Sequence, residues 1–244
     1  MALSHSQVAR GLAGIAAAAV LCCAAQAGAQ PMQVPDTLAE RTRACTACHG
    51  KEGRATREGY FPRIAGKPAG YLFNQLINFR EGRRSNAAMT YLVQHLSDAY
   101  LQEIADYFAS LDLPYAPPPP LAAPAAVAAL GETLAQRGDP ARKLPACVAC
   151  HGATLTGVAP AMPGLLGLPR DYAIAQFGAW RTGQRQAASP DCMAEIAQRL
   201  TREDISAAAA WLASRPLPAN AKPAGSHRQP LPMRCGSDPD ARPR

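Results

Sequence analysis

The chain is poor in charged and aromatic side chains. Of its 244 residues, 18% are charged and 6% are aromatic, whereas 48% are hydrophobic, enough to bury a core. No segment beyond residue 30 is long and apolar enough to cross a bilayer, so we expect no membrane span in the mature chain. The formal charge of +7 is spread along the chain. No folded segment is strongly basic, and nucleic-acid binding therefore has no support.

The N-terminus has the three parts of a secretory signal peptide. Arg10 supplies the positive charge, residues 11–25 form an apolar run, and residues 27–29 form a small-residue cleavage site. The apolar run is shorter than the roughly 20 residues that span a bilayer. We therefore predict a signal peptide over residues 1–29, removed on export, rather than a membrane anchor. The expected location of the soluble mature chain is the periplasm.

The remainder of the chain contains one pattern twice. Residues 44–50 read ACTACHG, and residues 146–152 read ACVACHG. The matches continue beyond these segments at offsets of 101 to 104 residues, and a drift of this size is what loop insertions between fixed elements produce. The further matches pair Tyr71, Gln75, Phe79 and Gly82 with Tyr172, Gln176, Trp180 and Gly183. The chain is therefore a tandem duplication.

The duplication divides the chain into two domains and two connecting segments. We predict a first domain over residues 30–113 and a second over residues 125–215. Residues 114–124 form a proline-rich linker, which is expected to be extended and semi-rigid. Residues 216–244 are expected to form an irregular, proline-rich and basic tail.

Within each copy the apolar residues recur at spacings of three and four. This periodicity predicts amphipathic helices over residues 71–81 and 98–111, with Ser97 and, in the second copy, Thr201 as N-caps. No alternating strand pattern stands out. The predicted fold class is all-α in both domains.

The motif repeated in the two copies is Cys-x-x-Cys-His. Its two cysteines attach a haem through thioethers, and the adjoining histidine lies under the iron. A thioredoxin-like redox pair or a structural zinc site would use the cysteines, but neither predicts the adjoining histidine twice. A covalently held haem would also complete the apolar core of a domain of about 85 residues. The predicted residues are Cys45, Cys48 and His49 for one haem, and Cys147, Cys150 and His151 for the other.

Each iron needs a second axial donor, and a neutral methionine sulfur raises the reduction potential. Met89 and Met193 occupy matching places in the repeat, because each lies eight residues before the predicted N-cap Ser97 or Thr201. We therefore predict these two methionines as iron ligands. Met162 aligns with an aromatic position of the first copy and is expected to pack in the core.

Two prolines follow the proximal histidines at similar distances. Pro62 lies 13 residues after His49, and Pro163 lies 12 residues after His151. Their carbonyls are predicted to accept the Nδ1 proton and orient each ring, although an ordinary turn role is the alternative. His95 aligns with an arginine in the second copy, so a solvent-facing role is favoured over iron binding.

These residues together resemble the dihaem cytochrome c4 family over roughly residues 36–215. The likeness is carried by the two Cys-x-x-Cys-His-Gly motifs, by residues 61–66 and 71–76, by Met89, and by residues 96–110. The resemblance implies two tandem class I cytochrome c domains related by approximate two-fold symmetry, each wrapped around a covalently bound haem c. It also implies single-electron transfer between redox proteins. The implied donor is a quinol-cytochrome c reductase or a periplasmic dehydrogenase, and the implied acceptor is a terminal oxidase.

Two cysteines lie outside the motifs, both in the second half. Cys192 adjoins Met193, and Cys235 lies in the tail. We favour a disulfide between them, which an oxidising compartment permits. The alternative is that Cys192 ligates the second iron, since thiolate is a known haem ligand.

That alternative keeps open a dihaem enzyme of the thiosulfate dehydrogenase-like type. A third hypothesis is the cytochrome subunit of a dehydrogenase complex, with the basic tail as its docking segment. We favour an electron carrier without substrate chemistry, because both irons are expected to be six-coordinate and neither has an evident open position.

Overall fold

The computed structural model describes residues 34–56 and 58–238. The signal peptide predicted over residues 1–29 lies outside the described residues. From Thr37 onward the chain clusters as one compact unit, and residues 34–36 before it form no helix or strand. In the part of the chain that the structure describes, no helix has the length and apolarity to cross a membrane.

The first half is built from helices. In chain order they are α1 (Leu38–Arg41), α2 (Arg43–His49), α3 (Ala69–Arg80), α4 (Ala87–Val93) and α5 (Asp98–Ser110). A 3-10 turn over Lys51–Gly53 follows α2. Helices α4 and α5 both pack on α3. The core between α3 and α5 is formed by Leu72, Ile104 and Phe108, which are buried because they share the apolar face of their helices.

The second half repeats this arrangement. Its helices are α6 (Ala125–Gln136), α7 (Cys147–His151), α8 (Arg170–Arg181), α9 (Cys192–Arg199) and α10 (Arg202–Ala213). A 3-10 turn covers Pro140–Arg142. The two-residue strands β1 (Gly157–Val158) and β2 (Met162–Pro163) pair antiparallel, with Gly157 opposite Pro163. Helix α10 packs against α6 and α8, and α9 packs on α8.

The observed helices match the periodicity of the sequence closely. The segment predicted over residues 71–81 is helical from Ala69 to Arg80, and the segment predicted over residues 98–111 is helical from Asp98 to Ser110. The side chain of Ser97 accepts a hydrogen bond from the Tyr100 N–H, and the hydroxyl of Thr201 closes a capping box with Asp204. The predicted all-α fold and both predicted N-caps are therefore confirmed.

One glycine explains how closely two helices of the second half approach. Gly131 lies inside α6, where glycine normally costs about 1 kcal/mol relative to alanine. A Cβ atom at this position would lie 2.3 Å from the Ala207 carbonyl oxygen of α10. The buried side of α10 is itself rich in alanine, so the two backbones pack without large side chains between them.

The two halves meet through equivalent segments. The backbone of residues 83–85 runs antiparallel to that of residues 184–186, joined by N–H to carbonyl bonds of 2.7 and 2.6 Å. The two segments follow α3 and α8 at an offset of 101 residues. The contact between the domains therefore has the approximate two-fold character that a duplication produces.

Residues 216–238 form no helix, and they pack against the second half. The Ala159 N–H donates to the Ala224 carbonyl at 2.7 Å, and the Ala224 N–H donates to the Gly157 carbonyl at 2.9 Å. Leu231 is 1% exposed and lies in a cluster with Val158. This part of the tail is consequently a component of the second half rather than a free arm.

Candidate functional site

Each Cys-x-x-Cys-His motif lies on a short helix that ends at its histidine. These helices are α2 and α7, and the three-residue spacing places both cysteines of a motif on one face. The glycine after each histidine has a positive φ, +76° at Gly50 and +86° at Gly152. A Cβ atom at Gly50 would lie 2.3 Å from the Ala55 carbonyl oxygen. Glycine therefore ends each helix where the chain must turn sharply after the histidine.

The two motif histidines are buried and held by backbone carbonyls. His49 is 8% exposed and His151 is 6% exposed. The Nδ1 atom of His49 lies 2.8 Å from the Pro62 carbonyl oxygen, and that of His151 lies 2.8 Å from the Pro163 carbonyl oxygen. Because a carbonyl only accepts, Nδ1 carries the proton, and Nε2 keeps a free lone pair for a metal. Burial lowers the pKa of both rings, which favours the neutral form that a metal requires.

The four motif thiols are unpaired, and three of them have raised pKa values. None of them forms a disulfide. Burial raises the pKa of Cys45, and it raises the pKa of Cys147 and of Cys150 to about 11. A thioredoxin-like nucleophile needs the opposite shift. Among the described residues there is also no group of three His, Cys, Asp or Glu side chains able to hold a metal ion.

A large cavity connects the two motifs. Its volume is about 1010 Å³, at the upper end of the roughly 300–1,000 Å³ of common ligand sites. The eight residues predicted from the repeat as haem and iron ligands all line it, namely Cys45, Cys48, His49, Met89, Cys147, Cys150, His151 and Met193. His95 is exposed and does not line the cavity. Met162 also borders the cavity, but its side chain is buried in a cluster with Val158 and Leu231.

The two ligand-candidate methionines lie in the first turns of equivalent helices. The side chain of Asn86 caps α4 and accepts from the Met89 N–H at 3.0 Å. The side chain of Asp191 caps α9 and accepts from the Ala194 N–H at 3.0 Å, next to Met193. Side-chain caps fix where each helix begins, so they also fix where each thioether enters the cavity.

Two arginines that line the cavity were not predicted from the sequence. Arg84 donates to the Oε1 atoms of Gln75 and Gln176 at 2.9 and 2.8 Å. Arg185 donates to the same two oxygens at 3.1 and 2.7 Å and is 6% exposed. No described carboxylate forms an ion pair with either guanidinium. Burial and the charge of Arg84 lower the pKa of Arg185.

This unneutralised pair is a test of whether a haem fits. Arg185 is buried and Arg84 beside it is half-buried, and two like charges so placed are unfavourable unless an anion accompanies them. A haem carries two carboxylates, so haem bound in this cavity would supply anions to accompany the two guanidinium groups. The free Nε2 atoms, the cavity and the paired arginines together fit two haems. The sequence does contain a signal for this pair. Arg84 and Arg185 each lie two residues after a repeated glycine, at the repeat's offset of 101 residues.

The last two cysteines form a disulfide between Cys192 and Cys235. The preferred prediction for them is confirmed, and the bond joins the start of α9 to the tail. A sulfur engaged in this bond has no thiolate to offer a metal. The alternative in which Cys192 ligates the second iron therefore does not hold in this structure.

The helical repeat, the shared cavity and the two Cys-x-x-Cys-His helices define a dihaem c-type cytochrome. No protein-family model matches the chain. It is 40% identical over 173 residues to a thiosulfate dehydrogenase electron acceptor of Thiomonas intermedia (strain K12), covering 71% of this chain and 79% of that protein. It is 35% identical over 170 residues to cytochrome c4 of Pseudomonas aeruginosa, covering 69% of this chain and 82% of that protein. The chain belongs to the dihaem cytochrome c4 family and carries two covalently bound haem c groups.

A solved structure gives the same fold. The thiosulfate dehydrogenase TsdBA from Marichromatium purpuratum superposes with a TM-score of 0.64 and 36% identity over 75% of this chain. This chain spans 40% of the length of that protein. The protein is thus an electron-transfer cytochrome with tandem all-α domains.

Proposed function

We propose that this chain carries single electrons in the periplasm from a thiosulfate dehydrogenase to a terminal oxidase, without substrate chemistry of its own. The single observation that carries the carrier assignment is that Met89 and Met193 line the same cavity as the two motif histidines. With one thioether and one imidazole for each iron, neither iron keeps an open position for a substrate.

The first haem is assigned to residues of α2 and α4. Cys45 and Cys48 form its thioethers, and His49 and Met89 are its axial ligands. Pro62 keeps the imidazole oriented through the 2.8 Å bond to Nδ1. The side chain of Met89 is partly buried and packs among apolar neighbours of α3, α4 and α5.

The second haem is assigned to the matching residues of α7 and α9. Cys147 and Cys150 form its thioethers, His151 and Met193 are its axial ligands, and Pro163 orients the imidazole through a 2.8 Å bond. One difference between the surroundings of the two haems is what covers the methionine. Helix α4 lies open to solvent at Tyr91, whereas α9 is tied to the tail through the disulfide.

The haem irons, when bound, supply the one-electron redox chemistry. The chain keeps the same ligands in place through both oxidation states, since all four are fixed by capped helices or buried carbonyl bonds. Neutral methionine sulfur and an apolar cavity favour a high reduction potential. Because residues of both halves line one cavity, two haems held there would be close enough to exchange electrons inside one molecule.

The thiosulfate dehydrogenase is preferred as donor for one reason. The relative at 40% identity is named an electron acceptor of that enzyme, and the chain covers 79% of it. A quinol-cytochrome c reductase is the other donor that we consider. The division into a signal peptide (1–29), two domains (30–113 and 125–215), a linker (114–124) and a tail (216–244) is part of this proposal.

The test is rapid mixing of the ferric holoprotein with thiosulfate and a purified thiosulfate dehydrogenase, followed by haem absorbance. We expect reduction of both haems at a rate that rises with dehydrogenase concentration. Thiosulfate without dehydrogenase is the control and should leave the haems ferric. Reduction in that control would favour the enzyme alternative, and reduction only by quinol with a quinol-cytochrome c reductase would replace the proposed donor.

The ligand assignment is tested separately by haem content. Cys150→Ala should retain the first haem and weaken attachment of the second, whereas Cys48→Ala should do the reverse. Denaturing mass measurement counts the haems that remain covalently bound. Two retained haems in both variants would contradict the assignment.

A further inference from the structure

We propose that Lys67, a residue of the first domain, sets the reduction potential of the second haem by placing its positive charge against the loop that holds His151. The inference rests on the ligand assignment under the proposed function. It concerns a residue to which neither the repeat nor the family likeness gives a role.

Lys67 crosses the boundary between the two halves. Its side chain is 4% exposed, and its Nζ atom lies 3.3 Å from the carbonyl oxygen of Gly164. Gly164 directly follows Pro163, whose carbonyl accepts the Nδ1 proton of His151. The ammonium of the first domain is thus one residue away from the contact that orients the proximal histidine of the second.

The charge of Lys67 is not neutralised by the protein. No described carboxylate pairs with it, and its other charged or aromatic neighbours are Arg63 and the ring of Tyr115, with its Nζ atom 5.9 Å from the ring centre. Burial and the Arg63 charge lower the pKa of Lys67 to about 8. The side chain nevertheless remains mainly protonated at neutral pH, so a buried positive charge persists there.

The repeat has this lysine in the first domain only. Gly66 and Gly167 are equivalent, and Pro68 and Pro169 precede α3 and α8 in the same way. The residue between Gly167 and Pro169 is Leu168, which has no charge. The second domain therefore offers the first haem no counterpart of Lys67.

A nearby positive charge favours the ferrous state, because the oxidised haem carries one more positive charge than the reduced haem. The effect is strong where water is excluded and weak at the surface. Lys67 therefore raises the potential of the second haem relative to the first. It directs an electron that enters through the first haem toward the second.

The burial of Lys67 has a cost in stability that an apolar residue would avoid. Replacing an unpaired buried charge with an apolar side chain of similar length is often stabilising. Lys67→Met should therefore unfold at a higher temperature than the wild type at pH 7. The same variant should be the poorer electron acceptor at its second haem, so stability and potential move in opposite directions.

The experiment is a potentiometric titration of the full holoprotein with both haems attached. Lys67→Met and Lys67→Gln remove the charge, and the glutamine keeps a donor for the Gly164 carbonyl. Lys222→Met is the matched control, because it removes the same charge from a side chain that is 64% exposed. The Met89→His variant identifies the wave of the first haem, because only that wave should move to a lower potential.

We expect both Lys67 variants to shift the equilibrium of electron exchange toward the first haem by roughly tenfold, which is about 59 mV for one electron. Lys222→Met should leave both waves in place. An unchanged second wave in both Lys67 variants would overturn the inference, and so would an equal fall of both waves. Failure of the proposed function would give a different result. The wild-type chain would then lack two attached haems or two potentiometric waves.

Discussion

Arg84 and Arg185, one from each half of the chain, donate to the same side-chain oxygen of Gln176, at 2.8 and 2.7 Å. Both also donate to the Oε1 atom of Gln75. The duplication has thus placed two equivalent arginines so that each donates to both of two equivalent glutamines. The amide oxygens are dipoles and not charges, so this network does not neutralise the pair. The carboxylates of haem bound in this cavity would be the anions that neutralise the pair.

The first prediction concerns the more buried arginine. Arg185→Met should lower the free energy of unfolding of the holoprotein by about 2 kcal/mol, because buried hydrogen bonds of a charged group are lost. It should also lower the potentials of both haems, since a positive charge leaves the region between them. Chemical denaturation and potentiometric titration measure the two effects.

The matched control for this prediction is Arg202→Met. Arg202 is exposed at the start of α10, so the same change of charge takes place in water. We expect little change in either quantity. Potentials in Arg185→Met that equal those of the wild type would contradict the role given to the arginine pair.

The second prediction concerns the axial methionines. Met89→Ala and Met193→Ala should each remove about half of the weak red-edge absorption band of the ferric protein, because each removes one iron–sulfur bond. Each variant should also lower one of the two potentials. Met162→Leu is the control, since this residue borders the cavity but is buried in an apolar cluster. A full band in Met193→Ala, or loss of half the band in Met162→Leu, would show that Met193 is not the second ligand.

The third prediction concerns the disulfide. Replacing both Cys192 and Cys235 with serine should lower the free energy of unfolding by about 2–4 kcal/mol, because the bond closes a loop between residues 43 apart in sequence. The double variant avoids leaving a free thiol beside Met193. The red-edge band of the second haem should weaken as the start of α9 loosens, while that of the first haem stays. Equal stability with and without the bond would show that packing of Leu231 alone retains the tail.

The repeat explains how much of this site the sequence predicts. Thioether attachment needs fixed spacings along one helix, so Cys45, Cys48 and their counterparts are visible in the sequence itself. Helix periods and N-caps are also local, and Ser97 and Thr201 mark the helix starts correctly. The prediction of Met89 and Met193 as ligands comes from comparing the two copies, because each methionine lies at the same distance from its N-cap.

Contacts across the two halves were harder to predict. Arg84 lies 101 residues from Arg185, and Lys67 lies 97 residues from Gly164, so no local pattern joins them. Lysine and arginine are usually solvated, and composition alone gives no reason to bury them. The packing of the tail was missed for a similar reason, since its contacts are backbone bonds made by a segment without periodicity. The predicted disulfide between Cys192 and Cys235 was the one feature of the sequence that indicated attachment of the tail.

The last prediction concerns acid stability and rests on Asp204 at the start of α10. Its side chain is 4% exposed. Its carboxylate accepts from the Thr201 N–H at 2.8 Å and lies 2.5 Å from the Arg142 guanidinium. Burial alone would raise the pKa of Asp204, but the bonds from Arg142 and Thr201 outweigh it and hold the pKa below its usual range.

Because folding lowers this pKa, the carboxylate stabilises the folded chain at every pH above its unfolded pKa of about 3.9. That stabilisation is lost as the pH falls through the lower, folded pKa. Asp204→Asn should therefore be less stable than the wild type at pH 7 and should show a flatter loss of stability below about pH 4. Asp106→Asn, on the exposed face of α5, is the control and should keep the wild-type profile. Denaturant unfolding at a series of pH values measures this, and an unchanged acid slope in Asp204→Asn would mean that other carboxylates govern acid unfolding.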